Sequence, residues 1–434
     1  MLGDSIAFHW NTPEFLLRIA REQGDVARFR LGRSQAVLLS HPDAVRAVLI
    51  DRAADFTKGR LMQRARRLLG DGLLTSEGET HRGHRRQIQP AFARDRIRDY
   101  GTFATTVAAR RAALWPSGGR LRLDLEMNAL TMEIVAGSLL GADLQNELPA
   151  IGAALQLLAR WAPLLAAPGG AMLERTRLPG LGRARKALEL LDRVVERQVL
   201  AQSRGMPLMT AMQADEMPMS SRQVRDEIMT IFLAGHDTTA ATLTWLWLLL
   251  GANPAVEERL RRELEEVLSG RDPVPEDLEH LAYTRMVVSE TLRLYPPINR
   301  IGRRPIRALD LAEIKLQRDM PVFLSPLVTQ RDSRWFEEPE RFRPERWAGP
   351  DPQRPKFAWF PFGAGPRSCI GEHFARTVIP LALATVARRW RLRPCRATLP
   401  VTRPLLTLKP RGAVWMVAEP AASVSPMRHR HTLI

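Results

Sequence analysis

The sequence predicts a mainly α-helical chain with small β-sheets, an α+β fold. Residues 223–251 have helical composition and meet no proline until Pro254. At 1.5 Å per residue such a helix would run roughly 40 Å, enough to cross a domain. Strand-like stretches are short and lie toward the ends of the chain: 26–31 and 35–39 flank Gly32 in a hairpin pattern. The 434 residues, 45% of them hydrophobic, suffice for a large core, and no internal repeat divides them.

In chain order, 12–23 reads as an amphipathic helix with Phe15, Leu16, Ile19 and Ala20 on one side. A helix starts at His41-Pro42-Asp43 and runs to about residue 50. Residues 56–79, with Gly59, Gly70, Gly72 and Gly78, read as irregular. Arginine-rich helix follows at 79–98, then apolar helix at 124–140. Residues 144–202 read as helices broken at Pro163, Pro168-Gly169-Gly170 and Pro179-Gly180, and 203–221 as a loop. After the long helix come a charged helix at 254–268, another at 277–294, extended chain at 298–305 and 321–327, and an irregular stretch at 330–347. A helix-forming run occupies 372–390. The expected organisation is one domain, 1–434, with an α-rich core at about 79–295 and 353–390. A β-rich part comes from about 26–39, 298–330 and 400–418, and residues 424–434 form a disordered basic tail.

Net charge is +17, almost all from arginine; Lys58, Lys186, Lys315, Lys356 and Lys409 are the lysines. Such an excess could attract nucleic acid, an anionic membrane or an acidic protein. The arginines are scattered, however, and no zinc-finger or RNA-recognition pattern accompanies them, so no nucleic-acid partner is expected. Cys369 and Cys395 are the two cysteines. A disulfide-built secreted fold is therefore disfavoured and a cytoplasmic location expected. The first ten residues, with Asp4 and His9, lack a signal-peptide core. The longest apolar run, 240–252, falls short of the roughly 18 residues of a membrane span.

The chemistry concentrates in four patterns. Phe362-Gly363-Ala364-Gly365-Pro366-Arg367-Ser368-Cys369-Ile370-Gly371 sets one cysteine among glycines just before a helix. Amide N–H groups and a helix N-terminus there stabilise a thiolate, and Arg367 offers a cation to an acidic group. Within the long helix, Ala234-Gly235-His236-Asp237-Thr238-Thr239 places an acid beside a hydroxyl in apolar surroundings, and Gly235 would let a flat cofactor lie close. His81 and Arg85, four apart, share one helix face and could clamp a carboxylate. Glu290 and Arg293 form an E-x-x-R pair, followed by Tyr295-Pro296-Pro297 and, downstream, Pro339-Glu340-Arg341-Phe342.

In order and spacing these patterns resemble the cytochrome P450 monooxygenases, of the soluble bacterial type. The resemblance implies a triangular helical prism holding haem b between the long helix and the cysteine-loop helix. It implies Cys369 as the axial iron ligand, with Phe362, Gly363, Ala234 and Gly235 against the haem. His81, Arg85, Arg367 and Arg303 are implied as propionate partners, with Arg300 and Arg304 as rivals to Arg303. Asp237 and Thr238 would deliver protons to dioxygen, while His236 is not assigned to the metal. Glu290, Arg293 and Arg341 would form a buried structural network. Leu73, Leu74, Leu233, Ile298, Ile301 and Leu405 are candidates for the substrate pocket, with Leu61, Met62, Leu68 and Leu69 as further pocket residues and Trp161, Leu164, Leu165 and Met172 as an apolar lid.

The implied reaction hydroxylates or epoxidises a hydrophobic small molecule with O2, in secondary metabolism. Electrons would come from NAD(P)H through a separate acidic ferredoxin or flavodoxin, steered to Arg367, His373 and Arg376. A monomer is expected. Rival readings are a peroxide-driven or non-oxidative haem-thiolate enzyme, and a non-enzymatic haem or nucleic-acid binder.

Overall fold

The computed structural model describes residues 3–141, 147, 150–154, 157–158, 161, 179–200, 207–214, 218–311, 314–404 and 407–421. Its main helices are α1 (Gly3–Trp10), α2 (Thr12–Gln23), α3 (Arg60–Leu69), α4 (Gly78–Ile88), α5 (Arg94–Ala112), α6 (Leu123–Leu140), α7 (Pro179–Leu200), α8 (Ser221–Ala252), α9 (Pro254–Leu268), α10 (Ala282–Leu294) and α11 (Glu372–Arg389). Around them lie strands β1 (Val26–Leu31), β2 (Ser34–Leu39), β3 (Phe56–Lys58), β4 (Arg120–Arg122), β5 (Ile301–Pro305), β6 (Leu309–Leu311), β7 (Ile314–Leu316), β8 (Val322–Leu324), β9 (Trp390–Pro394), β10 (Thr402–Pro404), β11 (Leu408–Pro410) and β12 (Trp415–Pro420).

Helix α8 is the axis of the molecule. Ser220 and Gln223 close a reciprocal capping box at its start, and Pro254 follows its end at Asn253. Between these stops the helix is buried nearly all round, through Trp245, Leu246 and Trp247. The Trp245 ring stacks on Tyr295 at 3.8 Å, and its indole N–H donates to the Leu408 carbonyl at 2.9 Å. Helices α6, α7, α10 and α11 pack against α8, and α11 also packs on α5 and α10. The helix that follows the cysteine loop thus packs on α5, α8, α9 and α10.

The largest sheet has the order β1-β2-β8-β5-β3. Only β2 and β8 run parallel; the other pairs are antiparallel. Strands β4, β12 and β9 form a second sheet, and β6-β7 and β10-β11 are hairpins. Among the described residues no helix is long and apolar enough to cross a membrane.

Four local expectations change. Within 203–221, read as a loop, Pro207–Gln213 form a short helix, because Leu208, Met209, Ala211 and Met212 fall on faces that bury against the core. Residues 60–69, read as irregular, form α3, because Gly59 and Gly70 bound a run of good helix formers rather than dissolving it. The basic helix at 79–98 is interrupted around Pro90, giving α4 and α5. Pro179 starts α7 instead of breaking a helix, since a missing N–H costs nothing in a first turn. The expected breaks at Pro163 and 168–170, the lid residues Leu164, Leu165 and Met172, the pocket residue Leu405 and the tail 424–434 lie outside the described residues.

Candidate active site

The cysteine loop is built by its own backbone. The Cys369 N–H donates to the Phe362 carbonyl at 2.9 Å, and Gly363 N–H to Phe360 at 2.9 Å. Gly365 has φ +68°, and a Cβ there would overlap the Leu49 carbonyl oxygen. The Phe362 ring lies under the Arg376 guanidinium at 5.1 Å, with Trp359 on Arg376 at 5.0 Å. Cys369 is a free thiol, surrounded by protein yet accessible, so its sulfur opens onto an internal recess. Burial pushes the thiol pKa up; the Gly371 N–H and Arg85 oppose that push.

Helix α8 shows the matching gap. Ala234 is accessible, and Leu233, Gly235, Asp237 and Thr238 are half-buried, in the middle of an otherwise buried helix. The Thr238 hydroxyl donates to the Ala234 carbonyl at 2.7 Å and Thr239 to Gly235 at 2.8 Å. Gly235 corrects one expectation: a Cβ there would meet Val135 of α6 at 3.3 Å, so its missing side chain serves helix packing, and Ala234 is the residue that opens onto the recess. His236 is buried against Phe232, whose carbonyl lies 2.8 Å from Nδ1, and burial lowers its pKa.

Asp237 is tied from a distance. It accepts from Thr407 Oγ1 at 2.6 Å and pairs with Lys409 on β11. Burial would raise its carboxyl pKa, but Lys409, His236 and the Thr407 hydroxyl together outweigh burial and hold it below the ordinary carboxylate value. The stability this gives is present above about pH 4 and is lost as pH falls through the lowered value. Lys409→Met leaves the carboxylate buried without its cation. The variant is expected to lose about 3 kcal/mol at pH 7, and less toward pH 5 as Asp237 takes up a proton; urea unfolding across that range measures the difference.

A group of buried cations lies beside the cysteine loop. Lys58 and Arg303 stand directly opposite each other on β3 and β5. Like charges in that position repel. Burial, then Arg367, pushes the Lys58 pKa down to about 7. Burial, then Arg367, Lys58 and Arg85, pushes His81 down to about 3, so it is neutral. Burial, then Arg367, takes Arg303 to about 10. Arg367 donates to the Ser76 carbonyl at 2.7 Å and pairs with Glu77. Arg85 donates to the Ser368 carbonyl at 2.7 Å. This crowd of cations facing few carboxylates, with an accessible thiol and the Ala234 gap, fits a flat dianionic cofactor such as haem.

Arg303 is the member of its trio that joins this group. Arg300 bonds Asn299 and lies over Phe8, and Arg304 pairs with Asp319 and Gln63. Lys58 carries no motif and was not expected; only strand register places it. Among the pocket candidates, Leu73 is buried and Leu74 half-buried. Ile301 Cδ1 sits 3.7 Å from where a Gly363 Cβ would be, and Ile298 is 36% exposed. Arg367 points inward to Ser76 and Glu77, which removes it from the expected docking patch; His373 is exposed and Arg376 half-exposed.

Behind the loop, Glu290 and Arg293 form a fully buried bidentate pair, both bonds 2.8 Å. The expected third member is corrected. The Arg341 side chain is 66% exposed on Glu338; only its carbonyl accepts from Arg293. Arg346, 5% exposed, donates to Glu290 at 2.9 Å, and the Trp347 indole N–H donates to the same carboxylate at 2.9 Å. The chain has a second P-E-R triplet, Pro344-Glu345-Arg346, five residues after the first, and it is the one that folds inward.

The Cytochrome P450 family model matches residues 5–115 and 184–416. The chain is 36% identical over 417 residues to a cyclooctat-9-en-7-ol 5-monooxygenase of Streptomyces melanosporofaciens, covering 92% of this chain and 89% of that protein. It is 35% identical over 412 residues to a cyclooctatin synthase of the same organism, with the same two coverages. A pentalenene oxygenase of Streptomyces avermitilis is 32% identical over 384 residues, covering 85% of this chain and 84% of that protein. On the family match and these likenesses, the chain belongs to the cytochrome P450 family.

Proposed function

We propose that this haem-thiolate monooxygenase oxidises a polycyclic terpenoid hydrocarbon or alcohol. The observation behind the site assignment is the accessible Cys369 thiol and the Ala234–Thr238 opening of α8, with buried cations beside the cysteine loop. The substrate class rests on the activities for which the Streptomyces relatives are named.

In this reading Cys369 Sγ would hold the haem iron and Arg303 and Arg367 would hold the propionates, with Lys58 adding positive charge from its place against the 70–76 loop and Arg85 bracing the cysteine loop through Ser368. Bound haem supplies the iron centre at which O2 is activated, one oxygen atom entering the substrate and the other leaving as water. The chain's own residues manage the protons and the fit. Thr238 Oγ1, released from the Ala234 carbonyl, presents a hydroxyl to the recess. Asp237 holds its charge through Lys409 and Thr407; once that tie swings open it can take a proton from solvent water and pass it on. Leu73, Leu74, Leu233 and Ile301 are the apolar surfaces that orient substrate.

The reduced protein is expected to give the red-shifted carbon monoxide band of a thiolate haem. With labelled O2 and a reconstituted reductase system, pentalenene or cyclooctat-9-en-7-ol is expected to gain one labelled oxygen. Oxidation supported by peroxide alone, faster than with O2 and reductant, would overturn the assignment in favour of a peroxide-driven enzyme. Electrons arriving from an acidic ferredoxin or flavodoxin at the His373 and Arg376 face should be salt-sensitive. Raising ionic strength from about 0.05 to 0.5 M is expected to slow first-electron reduction about tenfold in stopped flow.

A further inference from the structure

The loop from Gly70 to Ser76 is gripped on both sides of its backbone. On one side, Asp226 and Glu227 of α8 act as acceptors: Asp226 Oδ2 takes the Asp71 N–H at 2.8 Å, and Glu227 Oε2 takes the Leu73 N–H at 2.9 Å. On the other, Lys58 Nζ donates to the carbonyls of Leu73 at 3.1 Å, Leu74 at 2.6 Å and Ser76 at 3.0 Å. The two carboxylates are buried, with Asp226 at 4% and Glu227 at 0% exposure, and each has a second partner. Arg225 donates to Asp226 Oδ1 at 2.8 Å, and His84 Nδ1 lies 2.6 Å from Glu227 Oε1. The loop can come this close because of its glycines: a Cβ on Gly70 would overlap the Asp226 carboxyl, and one on Gly72 the Thr230 hydroxyl.

Position along α8 gives the grip its meaning. Glu227 and Ala234 are seven residues apart, two turns, and so share a helix face. The loop therefore leaves α8 on the face that opens at Ala234. At its far end Arg367 of the cysteine loop holds the Ser76 carbonyl at 2.7 Å. The segment bridges the two walls of the recess, and Leu73 and Leu74 lie in its middle.

We infer that Asp226 and Glu227 are positioning residues for substrate selection: by fixing the backbone register of 71–74 they set the wall that Leu73 and Leu74 present. This rests on the reading of those leucines as pocket residues. A one-residue slip would exchange the buried side chain for the half-buried one and reshape the recess without touching Cys369.

The test uses the haem-loaded full chain and two probes that ligate haem iron, imidazole and the bulkier 4-phenylimidazole. Glu227→Ala is expected to speed amide hydrogen exchange at Leu73 about tenfold, one lost charge-assisted hydrogen bond, with Asp71, held by Asp226, as the internal reference. It is also expected to change the 4-phenylimidazole Kd at least fivefold, with imidazole shifting less than twofold and Glu227→Gln partly restoring both. Asp226→Ala, which leaves Arg225 its bond to Asp192, serves in the same way if Glu227→Ala does not fold. Unchanged exchange overturns the grip. Faster exchange with an unchanged 4-phenylimidazole Kd overturns the selection role, while a Kd shift in Leu74→Ala keeps the pocket reading standing. If Leu74→Ala leaves the Kd unchanged, the pocket reading fails, and the selection role with it.

Discussion

Cys369→Ser is expected to remove the red-shifted carbon monoxide band and to lower turnover on the order of a thousandfold, about 4 kcal/mol of barrier. The serine hydroxyl is close in size and meets the same loop. The Cys369 N–H bond to Phe362 at 2.9 Å and the glycine turn around Gly365 do not depend on sulfur. Protein yield and far-UV circular dichroism should therefore match the parent. What changes is electron donation to the metal, which thiolate supplies and an alcohol does not. A variant that kept both band and turnover would place the iron ligand elsewhere. Cys395, just after β9, is the other free thiol.

The second large effect lies behind the loop. Glu290→Ala is expected to cost about 3–5 kcal/mol, because it leaves the fully buried Arg293 guanidinium without its carboxylate. Burial would raise the Glu290 pKa, but Arg293 and Arg346 outweigh it and hold the group ionised. This stabilisation is complete above about pH 4.5 and falls away on acidification. Arg346→Ala is expected to cost about 2–3 kcal/mol through the lost charge-assisted bond to Glu290. Arg341→Ala, on an exposed pair with Glu338, should stay within about 0.5 kcal/mol. Guanidinium unfolding of the three variants, with haem absorbance and intrinsic fluorescence as probes, orders them. Equal losses from Arg341→Ala and Arg346→Ala would refute the network drawn here.

The sequence was most legible where chemistry is local. The cysteine loop, the acid beside Thr238 and the Glu290–Arg293 pair each lie within about three turns of one segment, so spacing alone places them. Helix α8 was legible to within two residues at its start from its helical composition, with no proline until Pro254; the Ser220–Gln223 cap went unread. What failed was choice among near-equals. Two P-E-R triplets compete for one carboxylate, and only the tight turn at Pro344–Trp347 aims Arg346 inward. Three arginines in β5 and just before it compete for one cluster, and strand register selects Arg303 opposite Lys58. Lys409, 172 residues from Asp237, has no local signal at all. The same is true of Lys58 and of Glu227, whose partners come from distant segments.

The cations opposed across β3 and β5 have a consequence beyond the site. Without a dianion between them, Lys58, Arg303 and Arg367 repel one another in a buried setting, and folding bears that cost. A ligand that binds only the folded chain repays it through mass action. Tetrapyrrole supply and the abundance of folded enzyme then become one variable: a cell short of haem would hold less of this protein, cleared by its proteases, before it held more of an empty one.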